Sequence, residues 1–367
     1  MIELSQIFIS IALITTFCYF PETYFSKIFK ISKKNITFIN QLSLGTVFHI
    51  FTLLILSFLS LLIDNVIDYF FLIFFLHNFI FFIIEKFRKL KINTEIIFLF
   101  FSVFLIIVFF QNNFVIGWDA QNFWAIKTFT ILEDDSIRNL DQTPRAEYPF
   151  LGSFIWAFYS KYSIVNNEIV GRFFYIFIFC LSLFSISKLF SKNISKNLIL
   201  YTFLIFLCFD ENLFNGYQEV LIFSLFCLIG IEFYYLEKSF NNFKSLIVIF
   251  LSCICISWIK NEGLIFSILV LLSLVFYFYR NTKILFFLLI ACSFLVSLRY
   301  GYLYSNSVNA NFQSGNYENF NFHQLLNYFE LDRIFMILKY LIIGIFQNII
   351  FLVSLLSMFF LIKKKKI

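Results

Sequence analysis

The sequence predicts an all-α, polytopic membrane protein of about eleven spans, and three observations carry that prediction. Hydrophobic residues make up 60% of the 367 positions and charged residues only 14%, against roughly 25% charged in an ordinary soluble domain. Apolar runs of helix-spanning length recur along the whole chain. The alternating pattern of a membrane barrel strand is missing. Sixty phenylalanines match an AT-rich coding bias, and in lipid they serve as filler.

The expected spans lie at 3–20, 42–62, 67–84, 95–110, 169–187, 197–210, 218–236, 245–259, 264–279, 284–298 and 334–362. Charge orders them. Basic clusters at Lys27–Lys34, Glu85–Lys91, Lys188–Lys196, Glu237–Lys244, Arg280–Lys283 and Lys363–Lys366 hold 19 of the 28 Lys and Arg residues. Most acids fall in the alternate connections. By the positive-inside rule the C-terminus is expected to be cytoplasmic and the N-terminus extracytoplasmic. The opening MIELSQIF has no basic n-region and no small-residue cleavage site, so it reads as a retained first helix. The net charge of +6 is therefore a topology device and no sign of nucleic-acid binding. Seven cysteines all sit in apolar segments, which predicts neither a disulfide framework nor a zinc site.

The whole chain, 1–367, reads as a single membrane domain with two long extracytoplasmic loops, 111–168 and 299–333. Loops of that length are usually functional or disordered, and the first is too aromatic for disorder. Within it, Ala120–Leu132 and Phe150–Tyr162 are expected to be amphipathic helices on the membrane surface. The second is Asn-rich and carries His323, a lone histidine with no partner for a metal or base role.

Chemistry centres on Asp119. It follows Trp118 where the fourth span ends, a position from which a carboxylate can take a proton from a hydroxyl or bind a metal ion. The competing reading is a helix cap. Lys127, two turns on, would meet a phosphate. Arg172 lies four residues after Glu168, so an i,i+4 ion pair competes with phosphate contact. Glu219 opens the seventh span, either as a favourable first-turn acid or as a hydroxyl ligand. Lys260-Asn261-Glu262-Gly263 is a short turn that brings two opposite charges to the same depth.

Three segments carry a family resemblance: WDAQNFWAIKTFTI from Trp118, AEYPFLGSFIWAF from Ala146 and NGYQEVLIFSLF from Asn215, with KNEG at 260–263. Their order and placement over roughly residues 105–300 resemble the GT-C class of integral-membrane glycosyltransferases. The likeness is to the family 39-like group of protein O-mannosyltransferases and lipid A aminoarabinose transferases. The chain departs from that pattern in having Asp119-Ala120 for an Asp-Glu pair, Tyr148-Pro149-Phe150 for a PPL element, and Glu219 at a later Asp position.

The resemblance implies a polyprenyl-phosphate sugar donor, an extracytoplasmic glycan, lipid or protein acceptor, and inversion at the anomeric carbon. Asp119 would be the general base. Lys127, Arg145, Arg172 and Lys260 would bind the donor phosphate, since stabilising developing charge is commonly the largest catalytic contribution. Glu219, Glu262, Trp118 and Tyr148 would bind acceptor or sugar, and a divalent metal is left open. Two other readings compete. A surface-polysaccharide polymerase or ligase would favour an arginine-rich loop, but the first loop has four basic residues against seven acids. A lipid-linked sugar transporter or flippase would favour repeats and midplane charges.

Overall fold

The computed structural model describes residues 3–28, 38–81, 94–110, 115–163, 168–191, 193–238, 243–278 and 281–305, and beyond them positions 335, 336, 339 and 343. The chain divides into two units, Met1–Asn309 and Ala310–Ile367, and everything below concerns the first. The expected eleventh span and His323 lie outside the described residues, those four positions apart. Among the described residues all regular structure is helical.

Four helices precede the first long loop: α1 (Leu4–Ile28), α2 (Phe38–Leu59), α3 (Val66–Phe81) and α4 (Thr94–Phe110). The loop contributes α5 (Ala125–Asp134) and α6 (Leu151–Lys161). A short α7 (Glu168–Gly171) leads into α8 (Phe173–Phe190), followed by α9 (Ile194–Cys208), α10 (Glu219–Lys238), α11 (Phe243–Ser257), α12 (Asn261–Tyr277) and α13 (Thr282–Ser305). Each of the first ten expected spans therefore contains a helix. Among the described residues, five stretches are long and apolar enough to cross a membrane: Leu4–Glu22, Phe38–Leu59, Glu168–Phe190, Glu219–Glu237 and Ile284–Tyr302. Five more apolar helices are shorter. This is the helical membrane class, with a bilayer as its natural surroundings.

Helices that are apolar all round must hide every side in protein or lipid. Here α2 and α8 take the protein interior, most of their residues being buried. By contrast α3, α4, α9, α12 and α13 keep Phe, Leu and Ile exposed along one side. Close approach needs small residues: a Cβ on Gly45 of α2 would overlap the Cys18 carbonyl of α1. Ser43 of α2 and Ser185 of α8 share a hydrogen bond of 2.6 Å, and each also has a carbonyl acceptor one turn back, Ile39 and Leu181, so the hydroxyl that gives its proton to its carbonyl accepts from the other. Both hydroxyls are thus satisfied without water, as an apolar interior demands.

Two sequence expectations change here. Phe150–Tyr162 does not lie on a surface: residues 151–160 of α6 are all buried. The helix packs against α2, α5 and α8, and the Tyr159 hydroxyl meets His49 Nε2 at 2.7 Å. Its polar residues were read as a solvent face, but they are the hydrogen-bonding partners of neighbouring elements. The second long loop also begins later than 299, because α13 runs on to Ser305 and makes Arg299 and Tyr302 helical.

Candidate functional site

Several helix termini meet at the end of the bundle that carries α5 and α6. Gly117 N donates to Asn215 O at 2.8 Å, which lays the Gly117–Ala120 turn against the segment entering α10. The fit is tight: a Cβ on Gly117 would stand 2.6 Å from the Tyr217 ring, and Gly216, at φ +85°, backs onto Ala120 and Trp156. A positive φ of that kind favours glycine. Leu151 N donates to Trp258 O at 2.9 Å and ties the start of α6 to the α11–α12 turn.

Asp119 opens a π-helical turn, Ala120–Trp124, a rare element found disproportionately at functional sites. Its side chain is exposed and makes no capping hydrogen bond. The cap reading therefore finds no partner in this geometry. Nearby, Lys260 Nζ lies 2.5 Å from Glu219 Oε1, bridging the α11–α12 turn to the first turn of α10. Burial lowers the affinity of Lys260 for its proton. The hydrogen bond to Glu219 and the charges of Glu219, Glu262 and Asp119 outweigh it and raise the pKa above the usual lysine value. The structure thus gathers Asp119, Glu219, Lys260 and Glu262 into one electrostatic group. Among the described residues, no three His, Cys, Asp or Glu side chains stand close enough to hold a metal ion; the cation inside this acidic group is the lysine.

The other expected phosphate ligands are engaged elsewhere. Lys127 is fully buried, and its ammonium donates to the carbonyls of Arg145 and Tyr148, both at 2.7 Å. Burial and the charge of Arg299, only partly offset by Glu147, pull its pKa down to about 7. Asp119 and Ile126 are exposed, whereas Lys127, expected to meet a phosphate, points inward. Arg172 is also fully buried. It bonds Glu168 Oε1 at 3.1 Å and the Phe214 carbonyl at 3.2 Å, and it stacks over Trp156. The i,i+4 ion pair is present, and the guanidinium also fastens α8 to the segment before α10.

Arg145 holds a positive φ of 56°, costly for a residue with a side chain. Its guanidinium lies 3.5 Å from Glu147 and over the rings of Phe123 and Tyr148. Tyr148 is half-buried against Trp124. Trp118, 67% exposed, stands edge-on to Phe123. Arg145, Tyr148 and Trp118 thus gather around the Phe123 and Trp124 rings.

One residue outranks its place in the sequence reading. Arg299 is 5% exposed. It donates to the Glu147 carbonyl and to Asn261 Oδ1 and stacks 5.1 Å over the Trp258 ring. In the sequence Arg299 stands just past the expected span 284–298, flanking the second loop within reach of a donor phosphate or lipid head groups; its place inside a helix follows from α13 running on to Ser305.

Comparison with known proteins returns no matching family model, no matching curated protein and no matching solved structure.

Proposed function

We propose that this chain is a membrane glycosyltransferase that moves a sugar from a polyprenyl-phosphate donor to an acceptor at the extracytoplasmic face. The observation that carries this reading is the state of Asp119: exposed, uncapped, on a π-helical turn and within the field of Lys260, Glu219 and Glu262. An exposed carboxylate in the first turn of its helix with no capping hydrogen bond is placed to accept the proton of an incoming hydroxyl. Attack of that oxygen on the anomeric carbon breaks the bond to the phosphate oxygen and inverts the centre. The leaving phosphate departs as an anion, so cations help it more than an acid does. Glu219 and Glu262 are placed to accept hydrogen bonds from sugar or acceptor hydroxyls, with Trp118 and Tyr148 offering ring faces. The orientation set by the basic clusters puts this end of the bundle outside the cell, where lipid-linked donors present their sugars.

The test is mass spectrometry of envelope glycans and glycolipids from a deletion strain. It is complemented with wild type or Asp119→Asn at matched membrane levels. One sugar lost from an outer-face glycan, restored by wild type and not by the variant, is the expected result. Full restoration by both would sink the assignment.

A further inference from the structure

Arg299 carries an unusual combination for a residue so buried. It forms no ion pair among the described residues. Its Nη2 serves two oxygens, the Glu147 carbonyl and Asn261 Oδ1, while its Nη1 is buried with no hydrogen-bond partner. Trp258 Nε1, on the ring beneath the guanidinium, is likewise buried and unpartnered. A guanidinium offers five N–H donors in a rigid fork suited to phosphate oxygens. Leaving such a donor dry and unpaired is costly, and an exception of this kind calls for a ligand or a role.

The surroundings specify the ligand's charge. Lys127 and Arg299 both donate to the 145–148 turn, and Arg145 stands on it, with Glu147 the acid beside them. Two guanidiniums, Arg145 and Arg299, and the Lys127 amine face one carboxylate there. Arg299 is joined through Asn261 to the turn that carries Lys260 and Glu262, so this cationic knot adjoins the acidic group. Lys127 and Lys260 have their nitrogens on carbonyls or a carboxylate, whereas Arg299 keeps a terminal donor open.

We infer that Arg299, with Trp258, forms an oxyanion subsite that takes a phosphate ester, its oxygen accepting from Nη1. The assignment rests on the proposed transfer only for its biological sense. As a binding statement it stands alone, and its test is a binding test.

The full chain would be placed in phosphatidylcholine nanodiscs and titrated by native mass spectrometry. The probes are undecaprenyl phosphate, undecaprenol, phosphatidylglycerol and inorganic phosphate. Wild type should hold undecaprenyl phosphate about tenfold or more tighter than undecaprenol, the scale of one hydrogen bond to a charged group. Arg299→Gln should erase that preference, and Trp258→Phe should weaken it a few-fold. Because Arg299 also braces Glu147 and Asn261, Arg299→Lys is the fallback: it keeps the charge, loses the fork and should lose most of the preference while remaining folded. Displacement by inorganic phosphate alone would identify a free anion as occupant, and displacement by phosphatidylglycerol a phospholipid headgroup; both sustain the subsite. An undiminished phosphate preference in a folded Arg299→Gln or Arg299→Lys protein overturns it. Arg299-dependent binding in a strain whose glycans never change would instead keep the subsite and discard the transfer.

Discussion

Lys260 and Glu219 lie 2.5 Å apart, forty-one residues from each other in the chain. The contact joins the turn between α11 and α12 to the first turn of α10 and sets the lysine among the acids of the site.

Substituting Lys260 by Gln should leave the fold and reduce function. Glu219 is more than half exposed, so solvent screening limits the pair's worth to at most about 1 kcal/mol. The folded pKa of Lys260 is raised, so whatever stability the pair supplies is fully present below the normal lysine pKa. It fades only as pH climbs through the higher folded value. Melting curves of wild type and Lys260→Gln in detergent should therefore run parallel from pH 6 to 9 and converge only in strongly alkaline buffer. Convergence already below pH 9 would contradict the pairing.

Lys127 should behave in the opposite sense. Its folded pKa of about 7 lies below the unfolded value of about 10.4, so the unfolded chain binds the extra proton between them. Its contribution to stability is full above the unfolded value, falls as pH drops through that window and is lowest below about pH 7. Lys127→Met strips a partner from the Arg145 and Tyr148 carbonyls, at about 1–3 kcal/mol for each buried group left unsatisfied. The melting-temperature penalty of Lys127→Met should thus be larger at pH 9 than at pH 6. A penalty that shrinks with rising pH would refute the depressed pKa.

Arg172→Leu should be among the most damaging single changes in the described chain. It leaves Glu168 and the Phe214 carbonyl facing a buried aliphatic group, and breaking a buried pair costs about 3–5 kcal/mol. Arg172→Lys should recover only part of this, because an ammonium lacks the fork that spans both acceptors. Folded yield on size-exclusion chromatography should order wild type, Lys, Leu.

Gly117→Ala should displace the Asp119 turn, since the new methyl would meet the Tyr217 ring at 2.6 Å. Transfer should fall well before thermal stability does. Adding Tyr217→Ala should restore part of the activity by vacating that space. A Gly117→Ala protein as active as wild type would separate this packing from function.

Much of this was legible in the sequence, for reasons that differ by residue. Asp119, Glu219 and the Lys260–Glu262 turn each fall at a helix end that the apolar runs mark in the sequence. Lys127 misled because helical periodicity says which residues share a face and not which face turns inward. Its burial depends on the carbonyls of Arg145 and Tyr148, eighteen and twenty-one residues away. The burial of α6 was hidden for the same reason, its polar groups finding partners on α2, α5 and α8.

What the sequence determined by itself was the apolar, all-helical character and the places where the described helices occur. These follow from local composition and the thickness of a bilayer. Tertiary structure alone decided which cations are consumed in holding the loop and which keep a donor open. A buried guanidinium or ammonium takes whatever oxygen the fold carries to it: for Lys127 and Arg299 these come from distant segments, and for Arg172 from Phe214 as well as the neighbouring Glu168.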